Sequence, residues 1–95
     1  MALVFEWSSG KARANLTKHG VSFLEGVSVF ADPLARIFPD EAHSRDERRE
    51  LIIGHSSRHA LLVVSFMERR GSVRIISARP ATRRERRDYE ENVTS

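Results

Sequence analysis

Residues 51–79 read LIIGHSSRHALLVVSFMERRGSVRIISAR, and the architecture turns on how this segment divides. Three runs rich in Leu, Ile and Val, at residues 51–54, 60–67 and 73–77, are separated by Ser56-Ser57-Arg58-His59 and by Arg69-Arg70-Gly71. Short aliphatic runs closed by Ser- and Gly-containing turns predict strands, and two consecutive antiparallel hairpins are the simplest way to join them. The apolar stretch at residues 60–64 is far too short to cross a bilayer.

Upstream, residues 34–38 predict a further strand closed by Pro39-Asp40, and the charged residues 41–48 predict a loop. Before them, Ser22-Phe23-Leu24-Glu25 has the form of a capping box, and Phe23, Val27 and Phe30 repeat at helical spacing up to Asp32-Pro33. An earlier helix is predicted after the candidate N-caps Ser8 and Ser9. In it Ala12, Leu16 and the stem of Lys11 share a face, and Gly20 supplies the stop. Residues 2–7 alternate as a first strand. Downstream of Pro80, a second capping box, Thr82-Arg83-Arg84-Glu85, opens a terminal helix whose only large apolar side chain is Tyr89. Such a helix is expected to be weakly anchored and left for a partner to cover. The order strand, helix, helix, four strands, helix predicts one α+β domain over residues 1–95. Its two N-terminal helices pack on one face of an antiparallel sheet, whose other face is left open, and a C-terminal helix follows.

The chain has 95 residues and no cysteine, so it needs no disulfide framework and suits a reducing compartment. With no basic n-region and no sustained apolar stretch near the start, the expectation is a soluble cytoplasmic protein without a membrane partner. Net charge is +3, but its distribution is uneven. Between Arg69 and Arg87 stand eight arginines and one carboxylate, whereas between Glu25 and Glu50 seven acids face four bases. Fourteen of the sixteen basic residues are arginine, whose forked guanidinium matches phosphate oxygens two at a time, so a phosphate-rich or acidic partner is implied.

Other chemistries find little support. Of the four histidines, His55 and His59 flank a predicted turn, where helical i,i+4 geometry does not apply, and no Cys pair or HExxH helix accompanies them; neither metal nor cofactor is expected. No serine sits in a GxSxG elbow, and the scattered glycines form no nucleotide-binding loop. There remain arginines on strands. Strict alternation puts Val73, Ile75 and Ser77 on one face and Arg74, Ile76 and Ala78 on the other, with Arg79 at the strand end; a bulge would change how Arg74 and Arg79 relate. Metal-free cleavage of RNA needs a base for the 2′-hydroxyl proton, cations for the pentacovalent phosphorane and an acid for the leaving 5′-oxygen. His19, Glu50, His55 and Glu68 are candidates for the protons, and Lys18, Arg58, Arg74, Arg79 and Arg83 for the phosphate, with backbone donors at the helix start by Thr82. The residues alone describe a basic α+β domain suited to nucleic acid.

Four segments in order carry a more specific likeness: FEWSSGKARANLTKHGVSF (5–23), VFADPLARIFPDEAHS (29–44), RRELIIGHS (48–56) and VRIISARPATRRERRDYEE (73–91). Taken together they resemble the BrnT family of ribonuclease toxins. The resemblance implies a RelE-like fold and an endoribonuclease that halts translation. It also implies a cognate BrnA-like ribbon-helix-helix antitoxin, through which DNA is contacted only indirectly; a homodimer stays open. The matching positions are Lys18, His19, Gly20, Phe23, Asp32, Pro33, Asp40, Arg74, Ser77, Arg79, Thr82, Arg83, Glu85, Arg86 and Tyr89. Gly20, Phe23, Thr82 and Glu85 already have structural explanations. Arg74, Arg79 and Arg83 lack an obvious carboxylate nearby in sequence and rank first as phosphate ligands, ahead of His19 and Lys18 at a helix C-terminus. The expected catalytic set is Arg79, Arg74, His19, Lys18 and Glu50. Arg58, Arg83, Arg86 and Arg87 are expected to bind RNA, and Arg74, Arg83, Arg84 and Tyr89 to bind the antitoxin. Pro80 and His55 depart from the family pattern, Pro80 standing where a basic or other non-proline residue is expected and His55 where an arginine is. A non-catalytic binding module and a RelE- or ParE-like toxin with another target are the alternatives.

Overall fold

The computed structural model describes residues 3–43 and 47–94; the expectations for Ala2 and for residues 44–46 lie outside the described residues. The elements are β1 (Val4–Glu6), α1 (Ser9–His19), α2 (Phe23–Ser28), β2 (Arg36–Pro39), β3 (Glu50–His55), β4 (Leu61–Arg69), β5 (Ser72–Pro80) and α3 (Arg83–Thr94), with 3-10 turns at Val29–Ala31 and Glu41–His43. This is the predicted order.

The helix ends follow local chemistry. Ser8 and Ser22 accept from the amides of Lys11 and Glu25, at 3.4 and 3.0 Å. The capping box at Ser22 is only half formed, because the Glu25 carboxylate instead accepts from the hydroxyl of Ser56 at 2.7 Å and ties α2 to the β3–β4 turn. α1 stops at Gly20 in the left-handed conformation. The β4–β5 hairpin turns through Arg70 and Gly71, both at positive φ (40° and 86°), as the twist of a two-residue hairpin requires.

The five strands form one sheet in the order β1-β5-β4-β3-β2. β2, β3, β4 and β5 are antiparallel neighbours, as the hairpin reading requires, but β1 runs parallel to β5, so the sheet is mixed rather than antiparallel. The chain crosses the whole sheet through α1 and α2 between β1 and β2, and three antiparallel steps then bring β5 back alongside β1 in the same direction. Strand spacing carries no signal of that edge choice.

One face of the sheet carries Ile52, Leu62, Val64, Phe66, Val73, Ile75 and Ala78, which pack with Val21, Phe23 and Val29 from the helical side. α1 and α2 lie over β5 and β4 there. Inside α1 the expected apolar face is displaced: Leu16 is 51% exposed, and the residue turned inward is Asn15. The opposite face is not open, as expected, but partly covered by α3, whose Tyr89 closes a smaller cluster with Ile53, Leu61 and Val63.

Candidate nucleic-acid interface

Alternation alone would send Arg74 and Arg79 to opposite sides of β5. In the ladder with β4, Ser65 pairs with Ser77 but Phe66 pairs with Ile75, so Ile76 is an extra residue and β5 bulges there. A bulge of one residue reverses the parity of the strand. Arg74, Ser77 and Arg79 therefore share the face away from α1 and α2, with Arg79 opposite Val63 and Arg74 opposite Met67.

The bulge is held from outside. β1 pairs only with Ser72, Val73 and Arg74, leaving the later edge of β5 without a strand neighbour. Asn15 takes that place: its Nδ2 donates to the carbonyls of Ala78 (2.8 Å) and Val21 (2.9 Å), and its Oδ1 accepts from the amide of Ala78 (3.1 Å). Buried backbone groups need partners, and one side chain here supplies both. Nothing in the spacing of α1 announces this role.

Lys18 and His19, in the last turn of α1, border a depression whose other wall includes Ile76 and Ser77. The same two residues line a cleft on the sheet face with Ser65, Leu51, Arg49 and Arg79. Ile76 and Ser77, at the bulge, thus border both hollows.

Arg79 was expected to lack a carboxylate partner, but it has one. Its Nη1 and Nη2 donate to the two oxygens of Glu85 at 2.8 and 2.9 Å, and Nη1 also donates to the Pro80 carbonyl at 3.3 Å. The two residues are six apart because the chain turns at Pro80-Ala81 and brings the first turn of α3 back onto β5. The Arg79 guanidinium, against the effect of burial, pulls the Glu85 pKa down to about 2, and the amide of Thr82 donates to the same carboxylate at 2.8 Å. The hydrogen bond to Glu85 in turn raises the pKa of Arg79. The helix start at Thr82 is thus already filled by Glu85 and offers this donor to no external anion. Among the described residues nothing accepts from Nε of Arg79, so the guanidinium keeps one edge, Nε with Nη2, for a bidentate ligand.

Arg74 also has a carboxylate, Glu6 of the parallel neighbour β1, at 3.5 Å. Arg83, Arg84, Arg86 and Arg87 are exposed on α3, and Arg58 is exposed in the β3–β4 turn. Glu50 is not brought to this group: it pairs with Phe66, on the helix-bearing face. Glu68, opposite Val73, faces the same way.

Tyr89, expected as an antitoxin contact, is only 4% exposed and offers a protein partner almost no surface. Its hydroxyl donates to Asp32 Oδ2 at 3.2 Å, and that oxygen also accepts from the amide of His55 at 2.7 Å. Burial works to raise the Asp32 pKa, but the amides of His55 and Leu34 together with the Tyr89 hydroxyl hold it below the usual value. Burial and the Asp32 charge push Tyr89 up. The His55 ring stands edge-on to Tyr89, with centroids 5.4 Å apart. Gly54 permits the approach, because a Cβ there would fall 2.9 Å from Asp32 Oδ2. α3 is therefore anchored on its own domain at both Glu85 and Tyr89, contrary to expectation; a polar contact to β5 and another to Asp32 supply what its sparse apolar surface does not.

Among the described residues no three His, Cys, Asp or Glu side chains gather as a metal group, and no helix is long and apolar enough to cross a membrane. No curated protein matches the chain. The crystal structure of the Brucella abortus ribonuclease toxin BrnT, at 1.1 Å resolution, is similar with a TM-score of 0.68 and 24% identity, covering 86% of this chain and 100% of that one, and so shows a shared fold. The family described as the ribonuclease toxin BrnT of type II toxin–antitoxin systems matches residues 7–85, most of the 95 residues, and the chain belongs to that family.

Proposed function

We propose that this chain is a RelE-like cytoplasmic toxin that cuts RNA without a metal ion and thereby stops translation. The observation that carries the reading is the bulge at Ile76, which supports it by aligning Arg74, Ser77 and Arg79 on one face, next to the hollow that Lys18 and His19 border. On this reading the free edge of Arg79 grips the scissile phosphate, and Lys18 and Arg74 add positive charge along the strand. His19 takes the 2′-hydroxyl proton, the 2′-oxygen attacks phosphorus, and the bond to the 5′-oxygen breaks as that oxygen takes up a proton from water. The products are a 2′,3′-cyclic phosphate and a 5′-hydroxyl. Arg58, Arg83, Arg86 and Arg87 hold flanking phosphates, a sequence-independent contribution that weakens with salt. A BrnA-like ribbon-helix-helix antitoxin neutralises the toxin by covering Arg74, Arg83 and Arg84 with acidic groups. The test is incubation of the purified chain, freed of antitoxin, with defined RNA in EDTA. Cyclic or 3′-phosphate ends are expected; 3′-hydroxyl ends, or loss of cleavage on chelation, contradict the reading.

A further inference from the structure

The face that carries Arg79 continues beyond it. Cross-strand neighbours align Ser77, Ser65, Leu51 and Phe38 in one row and Arg79, Val63, Ile53 and Arg36 in the next. At the far end of these rows, between β2 and α3, lies a pocket of about 180 Å³ lined by Arg36, Phe38, Ile53, Asp88, Tyr89 and Asn92. Glu85, the partner of Arg79, forms its near wall. It is smaller than the sites that take drug-sized ligands and suits a single flat ring system.

We propose that this pocket receives a guanine base of the RNA strand whose phosphate lies at Arg79; the proposal rests on the ribonuclease reading above. Ile53 and the Tyr89 ring give an apolar floor, the Tyr89 hydroxyl being committed to Asp32. Phe38, on an edge strand and 41% exposed, offers a ring on which a base stacks. Arg36 and Asp88 carry opposite charges into one small pocket, yet they form no ion pair with each other. A guanidinium only donates and a carboxylate only accepts. Guanine answers both, with O6 and N7 as neighbouring acceptors and N1–H and N2–H as neighbouring donors; adenine, cytosine and uracil lack that adjacent donor pair. Asn92, whose amide nitrogen is held by the Asp88 carbonyl at 2.7 Å, keeps its oxygen as one more acceptor.

The test uses the full chain and RNA oligonucleotides that differ only in whether one position is guanosine, adenosine, cytidine or uridine. Cleavage is followed with ordinary RNA. Binding is followed by fluorescence anisotropy with a 2′-deoxy residue at the scissile position. Wild type is expected to prefer guanosine. Asp88→Asn is expected to lower kcat/KM for the guanosine oligonucleotide by roughly tenfold or more while leaving the other three unchanged, the scale of one lost bidentate contact. A merely electrostatic Asp88 would instead strengthen binding of all four when its charge is removed. Phe38→Ala is expected to weaken all four several-fold and Phe38→Trp to restore them, with circular dichroism confirming that each variant folds. Equal cleavage at every base, with Asp88→Asn and Phe38→Ala folded and unaffected, overturns the pocket and spares the ribonuclease reading. Absence of any RNA binding or cleavage by wild type overturns both.

Discussion

The two faces of the sheet are built on different principles. Under α1 and α2 the buried side chains are almost all apolar, with an aromatic relay of Phe5, Phe30 and Phe66 at edge-to-face spacings of 5.0 and 5.1 Å. Under α3 a smaller apolar cluster sits beside Ser65, Ser77, Arg74 and Arg79, and the helix is fixed by Arg79–Glu85 and Asp32–Tyr89. Burial of apolar area is non-directional and supplies stability in bulk. A few directional polar contacts add less, but they set the orientation of the groups that make them. Concentrating the apolar side chains on one face leaves the other to hold arginines in fixed poses.

That contrast is broken or sharpened by a graded series of substitutions. The greatest loss is expected from Phe23→Ala beneath the helices, at about 3–5 kcal/mol by urea unfolding, since Phe23 is 2% exposed. Asn15→Ala leaves the amide and carbonyl of Ala78 unpaired at the seam between helix and strand. It is expected to cost about 1–3 kcal/mol and to speed hydrogen exchange along the later half of β5. Tyr89→Phe, on the other face, is expected to cost about 1 kcal/mol and to loosen α3 while exchange in β3 and β4 stays as it was. The smallest effect is that of acid on Glu85. Its folded pKa of about 2 lies below the ordinary 4.5, so its contribution is complete above 4.5 and is lost as pH falls through about 2. Glu85→Gln is expected to flatten that part of the stability–pH curve. A loss from Tyr89→Phe as large as that from Phe23→Ala would erase the distinction between the faces.

The helix-bearing side could be read from the sequence because its determinants are local. Ser8, Ser22 and Gly20 mark helix ends, the aliphatic runs mark strands, and Arg70-Gly71 marks a hairpin. The arginine-bearing side could be read only as a composition. Arg74, Arg79, Lys18 and His19 were identifiable as cations, but whether Arg74 and Arg79 share a face depends on one unpaired residue, Ile76, which looks like any other strand isoleucine. The parallel pairing of β1, the clamp at Asn15 and the contact between Asp32 and Tyr89, 57 residues apart, are consequences of chain crossing, for which spacing holds no signal. Glu50 was misplaced for the same reason: its side of β3 follows from pairing with Phe66, not from its own neighbours.

The two faces are told apart functionally by comparing Arg79→Ala and Glu50→Ala in RNA cleavage with EDTA present, each checked for folding. Arg79→Ala is predicted to lower cleavage by about two orders of magnitude or more, the scale of losing one charge-stabilising group, while Glu50→Ala cleaves like wild type. A folded Arg79→Ala protein that still cleaves, with Glu50→Ala inactive, would contradict the assignment of the chemistry to the arginine-bearing face.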